Sequence, residues 1–362
     1  MNSYFLHNNG RNQLFILLLV LAAIQVSTLL GQDHSHRTYS NTLKPITKPE
    51  PILADYPQYF EPIREDDYFE SPPLIADPNS DLNVRSWRFS YNARGIVLMT
   101  NHLRAADTAI IMVHPWGIDD GQGWKTPDPA GVSDFCTPKK NHLVEIHEKQ
   151  VVNPFLKLYR GKVKLIMFSL PGNEDPIRKK LYRSFSGKPD DADRAEGAKE
   201  LTTALNRFDY HSQPLPSSLE VSTDKPMVDY FRLFQGLNSG PRYDPPGFWE
   251  LPIPVTKSID VDSNDVIIYD AQGYSELKKF LVKQSIRHVL LVGYATDKCY
   301  RATTAGYENL SKDFDVFLVG DATLATFPGN SSPRFATNAA ISYAAIDHMI
   351  TQISWIKYKP TP

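Results

Sequence analysis

Cys299 is one of only two cysteines in the chain, the other being Cys136, and its setting suits a nucleophile. It lies within RHVLLVGYATDKCYRATTAGYENLSKDFDVFLVGDA, residues 287–322. An apolar strand is expected to end at Gly293, the turn YATDK follows, and a helix is expected over 299–311 with Thr296 or Asp297 as its N-cap. A cysteine in a first helical turn has its thiolate stabilised by backbone N–H groups and the helix dipole, which lower the thiol pKa. The same N–H groups can hold the oxyanion of a tetrahedral intermediate. That is the chemistry of an activated thiol attacking a carbonyl carbon. Spacing alone leaves a second reading open, in which Cys299 is a small apolar residue packing the start of a helix.

Such a thiol needs a scaffold, and the pattern around it predicts one. TAIIMVH (108–114) and VKLIMFS (163–169) are short β-rich apolar runs, as buried parallel strands require. Residues 141–159 between them carry helical spacing. The alternation resumes with a strand at 266–269, a helix at 275–284, a strand at 287–293, a strand at 315–319 and a long terminal helix at 334–353. Strands alternating with helices imply a doubly wound, mainly parallel sheet in a three-layer α/β fold. Chemistry in such sheets sits beyond the carboxyl ends of the strands, which selects the loops after His114, Ser169, Tyr269 and Gly293. Residues 174–255 do not fit the alternation and read as a large insertion with a helix near 190–207. Upstream, 85–100 alternates polar and apolar residues about Asn92–Gly95, as a hairpin does.

The string GYATDKC, followed by a Thr/Ala-rich helix, an apolar strand and GDA, resembles the isochorismatase-like cysteine hydrolase superfamily, which includes nicotinamidases and N-carbamoylsarcosine amidase. The resemblance covers roughly 105–173 and 256–355. It implies a catalytic Cys, Lys and Asp, and a cis peptide ahead of the nucleophile, here Tyr294–Ala295. The backbone N–H groups of Ala295 and Cys299 would then form the oxyanion hole. Lys257, in PVTKSID, matches the lysine position and would hold the thiolate by charge.

The chain departs from that pattern at the general base. Where the family has an Asp at the end of the first strand, this sequence has His114, followed by PWGIDD. Either His114 is the base, since imidazole suits thiol deprotonation near neutral pH, or Asp119 or Asp120 reaches back and His114 orients it. A third outcome is a histidine packed under the sheet and an inactive site. Asp134, in SDFC, is a further candidate carboxylate, and Asp321 of GDA reads as structural, capping a turn. No metal or other cofactor is expected. The family's metal-binding stretch reads SLPGNEDPIRKK here and has no histidine, while His142 and His147 read as surface residues of a helix. Arg178, Lys179, Lys180 and Arg183 form either a solvated face or a contact for an anionic substrate.

The formal net charge of -2 and the lack of a long basic run exclude an electrostatic footprint for nucleic acid. Arg11 precedes an apolar run over 14–24, so 1–31 reads as a secretory signal peptide or, uncleaved, a membrane anchor. An extended lead-in would span 32–104 and the hydrolase domain 105–362, exported to the periplasm or cell exterior. Two cysteines do not make a disulfide scaffold. The expected activity is cysteine-dependent hydrolysis of an amide-like C–N bond in a small molecule, by a homo-oligomeric enzyme. The alternatives are vinyl ether hydrolysis of isochorismatase type and a non-catalytic binding or assembly protein on the same scaffold.

Overall fold

A computed structural model describes residues 44–47, 67–90, 92–116, 138–208, 247, 250–296, 298–325 and 351–358. The expected leader at 1–31, Asp119, Asp120, Asp134, Cys136, Asp297 and most of the expected terminal helix lie outside these residues. Among the described residues no helix is long and apolar enough to cross a membrane.

The described strands form one ten-stranded sheet. They are β1 (Lys44–Pro45), β2 (Asp67–Glu70), β3 (Leu82–Ser90), β4 (Gly95–Leu103), β5 (Thr108–Val113), β6 (Leu165–Leu170), β7 (Val266–Tyr269), β8 (His288–Tyr294), β9 (Asp315–Leu324) and β10 (Thr351–Tyr358). Their order is β1-β2-β4-β3-β10-β9-β8-β5-β6-β7, and the run from β10 to β7 is parallel throughout. β3 and β4 are the expected hairpin, paired antiparallel from Leu82–Leu103 to Ser90–Gly95. They belong to the same sheet, joined to it through β10.

Every residue of β5, β7 and β8 is buried, because helices cover both faces. Ile110 and Met112 point into one apolar cluster, and Ala109, Ile111 and Val113 into the other. The first cluster takes side chains from α1 (Pro138–His147), a π-helical segment (Glu148–Val152), α2 (Asn153–Tyr159) and α4 (Asp191–Arg207). The second takes Leu277 and Leu281 from α5 (Gly273–Lys283), Tyr300 from α6 (Cys299–Ala302), and Tyr307 and Leu310 from α7 (Tyr307–Leu310). The result is the three-layer, doubly wound arrangement that the alternation predicts.

This winding creates a crevice. From β5 the chain moves to β6 and β7 on one side, then returns to place β8 and β9 on the other. The first described helix after β5, α1, packs on one face, and the first described helix after β8, α6, packs on the opposite face. The carboxyl ends of β5 and β8 are therefore the switch point at which ligands bind in such sheets. Val113 pairs directly with Gly293 there. A Cβ on Gly293 would lie 2.3 Å from the Val113 carbonyl oxygen, and its φ of +107° disfavours any other residue.

Two sequence expectations fail in the fold. The helix expected over 299–311 is two single turns, α6 and α7. Gly306 sits between them, where a Cβ would lie 2.7 Å from the Arg301 carbonyl oxygen, and the chain turns sharply. Thr351, Gln352 and Ile353, expected to end a helix, lie in strand β10. The slot between β3 and β9 offers ladder partners on both sides, and ISWIKY is rich in the β-branched and aromatic residues that fill such a slot.

Candidate active site

His114 is the first residue beyond β5 and is 7% exposed. Its backbone is left-handed, with φ of +48°. Such a backbone costs a non-glycine residue about 1–2 kcal/mol and clusters where function needs a side chain re-aimed. Its N–H donates to the Ser169 carbonyl at the end of β6 at 3.0 Å. Its Nε2 lies 2.8 Å from Oδ2 of Asp270, while its Nδ1 is buried and has no hydrogen-bond partner among the described residues.

Asp270 is the first residue beyond β7 and was not among the candidates named from the sequence. Its Oδ1 accepts the Ser169 hydroxyl at 3.4 Å, and its carbonyl accepts the Thr304 hydroxyl at 2.7 Å. The Ala271 N–H donates to the Gly172 carbonyl at 3.0 Å, which holds the loop after β6 against it. The loop after Tyr269 had been marked by the strand-end rule. The carboxylate itself carried no local motif, since its partner is 156 residues away in sequence.

Cys299 opens α6 and is half-buried. It packs against the apolar cluster that contains Val113, Met167 and Ile268, so it lies on the same face of the sheet as those residues. The next turn of chain, at Thr304, bonds to Asp270. The thiol and the histidine–carboxylate pair thus share the carboxyl edge of the sheet at the switch point. The Tyr294–Ala295 peptide bond is cis. The Ala295 carbonyl accepts the N–H groups of Lys298 and Tyr300, at 2.9 and 3.1 Å, which closes the turn that presents Cys299.

The helix that Cys299 opens is too short to lower a thiol pKa through its dipole. α6 has 4 residues, too few for aligned peptide dipoles to sum appreciably. The expected N-cap also fails: Lys298 holds that position with no side-chain cap. Thr296 is drawn back to the sheet instead, its N–H donating to the Leu324 carbonyl at 3.1 Å and its hydroxyl left without a partner. Lys257 is exposed and follows Thr256, whose N–H donates to the Pro115 carbonyl at 2.8 Å, and Val255, which bridges Trp116. Its backbone therefore runs beside the start of the loop after β5.

On the opposite face a second cluster supports the turn. His147 is buried, not a surface residue, because the π-helical segment that begins after it turns this face of the helix toward the sheet. Its Nδ1 lies 2.8 Å from the Tyr294 hydroxyl, and its Nε2 lies 2.7 Å from the Asp321 carbonyl oxygen. Asp321 caps no turn: it lies within β9, which runs on to Leu324 because the bulge in its pairing with β8 keeps the ladder going. Burial pushes the Asp321 carboxyl up to about 7 and the His147 imidazole down to about 4. Both groups are thus neutral in mildly acidic solution. The raised Asp321 pKa means stability that is full below the unfolded value near 3.8 and is lost as pH rises through 7. Asp321→Asn is therefore expected to gain on the wild type between pH 4 and 7, by on the order of 2 kcal/mol at the plateau, as read by denaturant melts across that range. The depressed His147 pKa acts in the opposite sense: its contribution is full above 6.5 and is lost as pH falls through 4.

The basic cluster after β6 is structural at its first member. Arg178 is buried, and its guanidinium bonds to Asp175 and to the carbonyls of Pro171, Asn173 and Ile253. Lys180 pairs with Glu196 and Glu200 at 3.1 and 2.9 Å, and Arg183 donates to the Asn264 carbonyl at 2.9 Å. Among the described residues no group of three His, Cys, Asp or Glu side chains is placed to hold a metal ion.

No family model matches the chain, and no curated protein matches it. Solved structures of isochorismatase-fold cysteine hydrolases are similar to it. A cysteine hydrolase from Pseudomonas syringae pv. phaseolicola 1448A is 12% identical, with 68% of this chain and 87% of that one covered and a TM-score of 0.33. A pyrazinamidase of Pyrococcus horikoshii, in complex with zinc, is 16% identical, with 69% and 99% covered and a TM-score of 0.32. An isochorismatase from Pseudomonas putida KT2440 is 8% identical, with 69% and 88% covered and a TM-score of 0.31.

Proposed function

We propose that this chain is a cysteine-dependent hydrolase that cleaves an amide-like C–N bond of a small molecule through a thioester. The observation that carries this reading is a half-buried thiol and a buried histidine bonded to a partly exposed aspartate, both at the carboxyl edge of the sheet where its winding reverses. In the proposed reaction His114 takes the Cys299 proton as Sγ bonds to the carbonyl carbon. The oxyanion is held by the N–H groups of Ala295 and Cys299. The C–N bond then breaks as His114 returns the proton to the leaving nitrogen. Water, activated by the same imidazole, attacks the thioester and releases the acid and the thiol. Lys257 would favour the thiolate by its charge. The apolar run over 14–24 is proposed to direct export, so the substrate would be met outside the cytoplasm.

The test is amine release. Purified protein is incubated with a panel of small primary amides and N-carbamoyl compounds, with an enol-ether acid as the contrasting substrate, and with and without iodoacetamide pretreatment. Release of ammonia or amine that pretreatment abolishes supports the reading. Turnover of the enol ether alone, insensitive to alkylation, favours vinyl ether hydrolysis. No turnover together with no labelling of Cys299 in the folded protein leaves a binding or assembly role.

A further inference from the structure

In the proposed chemistry either ring nitrogen of His114 could serve as the base. Two observations bear on the choice. One ring nitrogen, Nε2, lies 2.8 Å from a carboxylate oxygen of Asp270. The other, Nδ1, is buried without a hydrogen-bond partner among the described residues, in a side chain that is only 5% exposed. A carboxylate only accepts, so the nitrogen beside it must carry the proton. Buried polar atoms without partners are rare and call for an explanation, of which a catalytic role is one.

We infer that Asp270 is a positioning residue that holds His114 as the Nε2–H tautomer and makes Nδ1 the base for Cys299. This rests on Cys299 being the nucleophile. When the thiol proton moves to Nδ1, the imidazolium gains a second N–H and its positive charge faces the Asp270 carboxylate. That carboxylate stabilises the cation and, through it, the thiolate. The same Nδ1–H then supplies the proton that the leaving nitrogen takes up, so every proton is accounted for between sulfur, Nδ1 and nitrogen.

Asp270 is built for this task. Its carboxylate is met by the Ser169 hydroxyl from the end of β6, and its carbonyl is tied to Thr304, just past the helical turn that bears Cys299. The left-handed backbone of His114 aims the ring across the end of β6 toward β7. Of the described titratable groups around this edge, Asp270 comes from the end of β7, Cys299 from the start of α6 and Lys257 from the strand-like segment beside Pro115. Only Asp270 bonds to the imidazole.

The experiment is the pH dependence of iodoacetamide labelling of the Cys299 peptide, read by mass spectrometry, in wild type, Asp270→Asn, Asp270→Glu and His114→Gln. The wild type is expected to label with a midpoint at least one unit below the ordinary thiol value of about 8.5. Asp270→Asn is expected to raise that midpoint by about 1–2 units, Asp270→Glu to restore part of it, and His114→Gln to match or exceed Asp270→Asn. A low wild-type midpoint that Asp270→Asn leaves unchanged overturns the role of Asp270 and spares the nucleophile. A wild-type midpoint in the ordinary range overturns the nucleophile reading itself. Nitrogen NMR of the wild-type protein provides a measurement that needs no variant to fold. The His114 ring is expected to show a protonated Nε2 and a bare Nδ1 at neutral pH, and the reverse tautomer overturns the inference.

Discussion

Cys299→Ala is expected to lower amine release by at least about 10³-fold while leaving the protein folded and its melting transition nearly unmoved. The two halves of that expectation have different physical origins. In the proposed reaction the sulfur is the atom that bonds to the carbonyl carbon, so its removal closes the covalent route. The packing loss is small, because Cys299 is only half-buried at the border of its apolar cluster and alanine keeps the Cβ. Cys299→Ser is expected to be nearly as inactive, since an oxygen nucleophile needs a far stronger base than an imidazole tuned to a thiol. Steady-state amine release and a thermal melt on the same preparations check both halves. A Cys299→Ala variant that keeps most of its turnover would move the chemistry to a route that needs no cysteine.

Arg178→Met carries the largest expected effect on stability, a loss of about 3–5 kcal/mol. The side chain is 3% exposed and lies over the Tyr269 ring, 4.7 Å from guanidinium carbon to centroid. Its guanidinium satisfies three carbonyls and the carboxylate of Asp175, which also caps α3 (Pro176–Leu181) by accepting the N–H groups of Ile177 and Arg178. Methionine matches the length of the stem and none of the donors, so the buried Ile253 carbonyl is left without this partner and the partly exposed carbonyls of Pro171 and Asn173 lose theirs. The damage falls at the end of β7, next to Asp270, and lower activity is expected with it. The shift in urea midpoint measures the stability loss. A midpoint within about 0.5 kcal/mol of wild type would mean that this network contributes little.

Much of this architecture can be read from the chain because buried parallel strands announce themselves. TAIIMV, LIMFSL and HVLLVGY are continuous apolar runs that only a sheet covered on both faces accommodates. α4 is equally legible, since Asp190 and Asp193 form a capping box at its start. The alternation also pointed to the carboxyl edge of the sheet, where His114 and the loop that holds Asp270 lie. What local pattern cannot show is partnership at long range. Asp270 matters through His114, and His147 through Tyr294 and Asp321, across separations no periodicity spans. Gly306 misled for a related reason: its role comes from how closely the Arg301 carbonyl approaches it, a matter of tertiary geometry. Thr351–Tyr358 became a strand because β3 and β9 were there to pair with it.

A covalent bond between Cys299 and the acyl part of the substrate is the central step of the proposed reaction. Mixing enzyme with a slowly turned-over amide, quenching in acid within the first turnover and weighing the intact protein tests it directly. The predicted result is a mass increase equal to the acyl fragment, located on the Cys299 peptide, released by hydroxylamine and absent from Cys299→Ala. Amine release at full rate with the protein mass unchanged at every quench time, under conditions where hydrolysis of the acyl-enzyme is slowed, would contradict it.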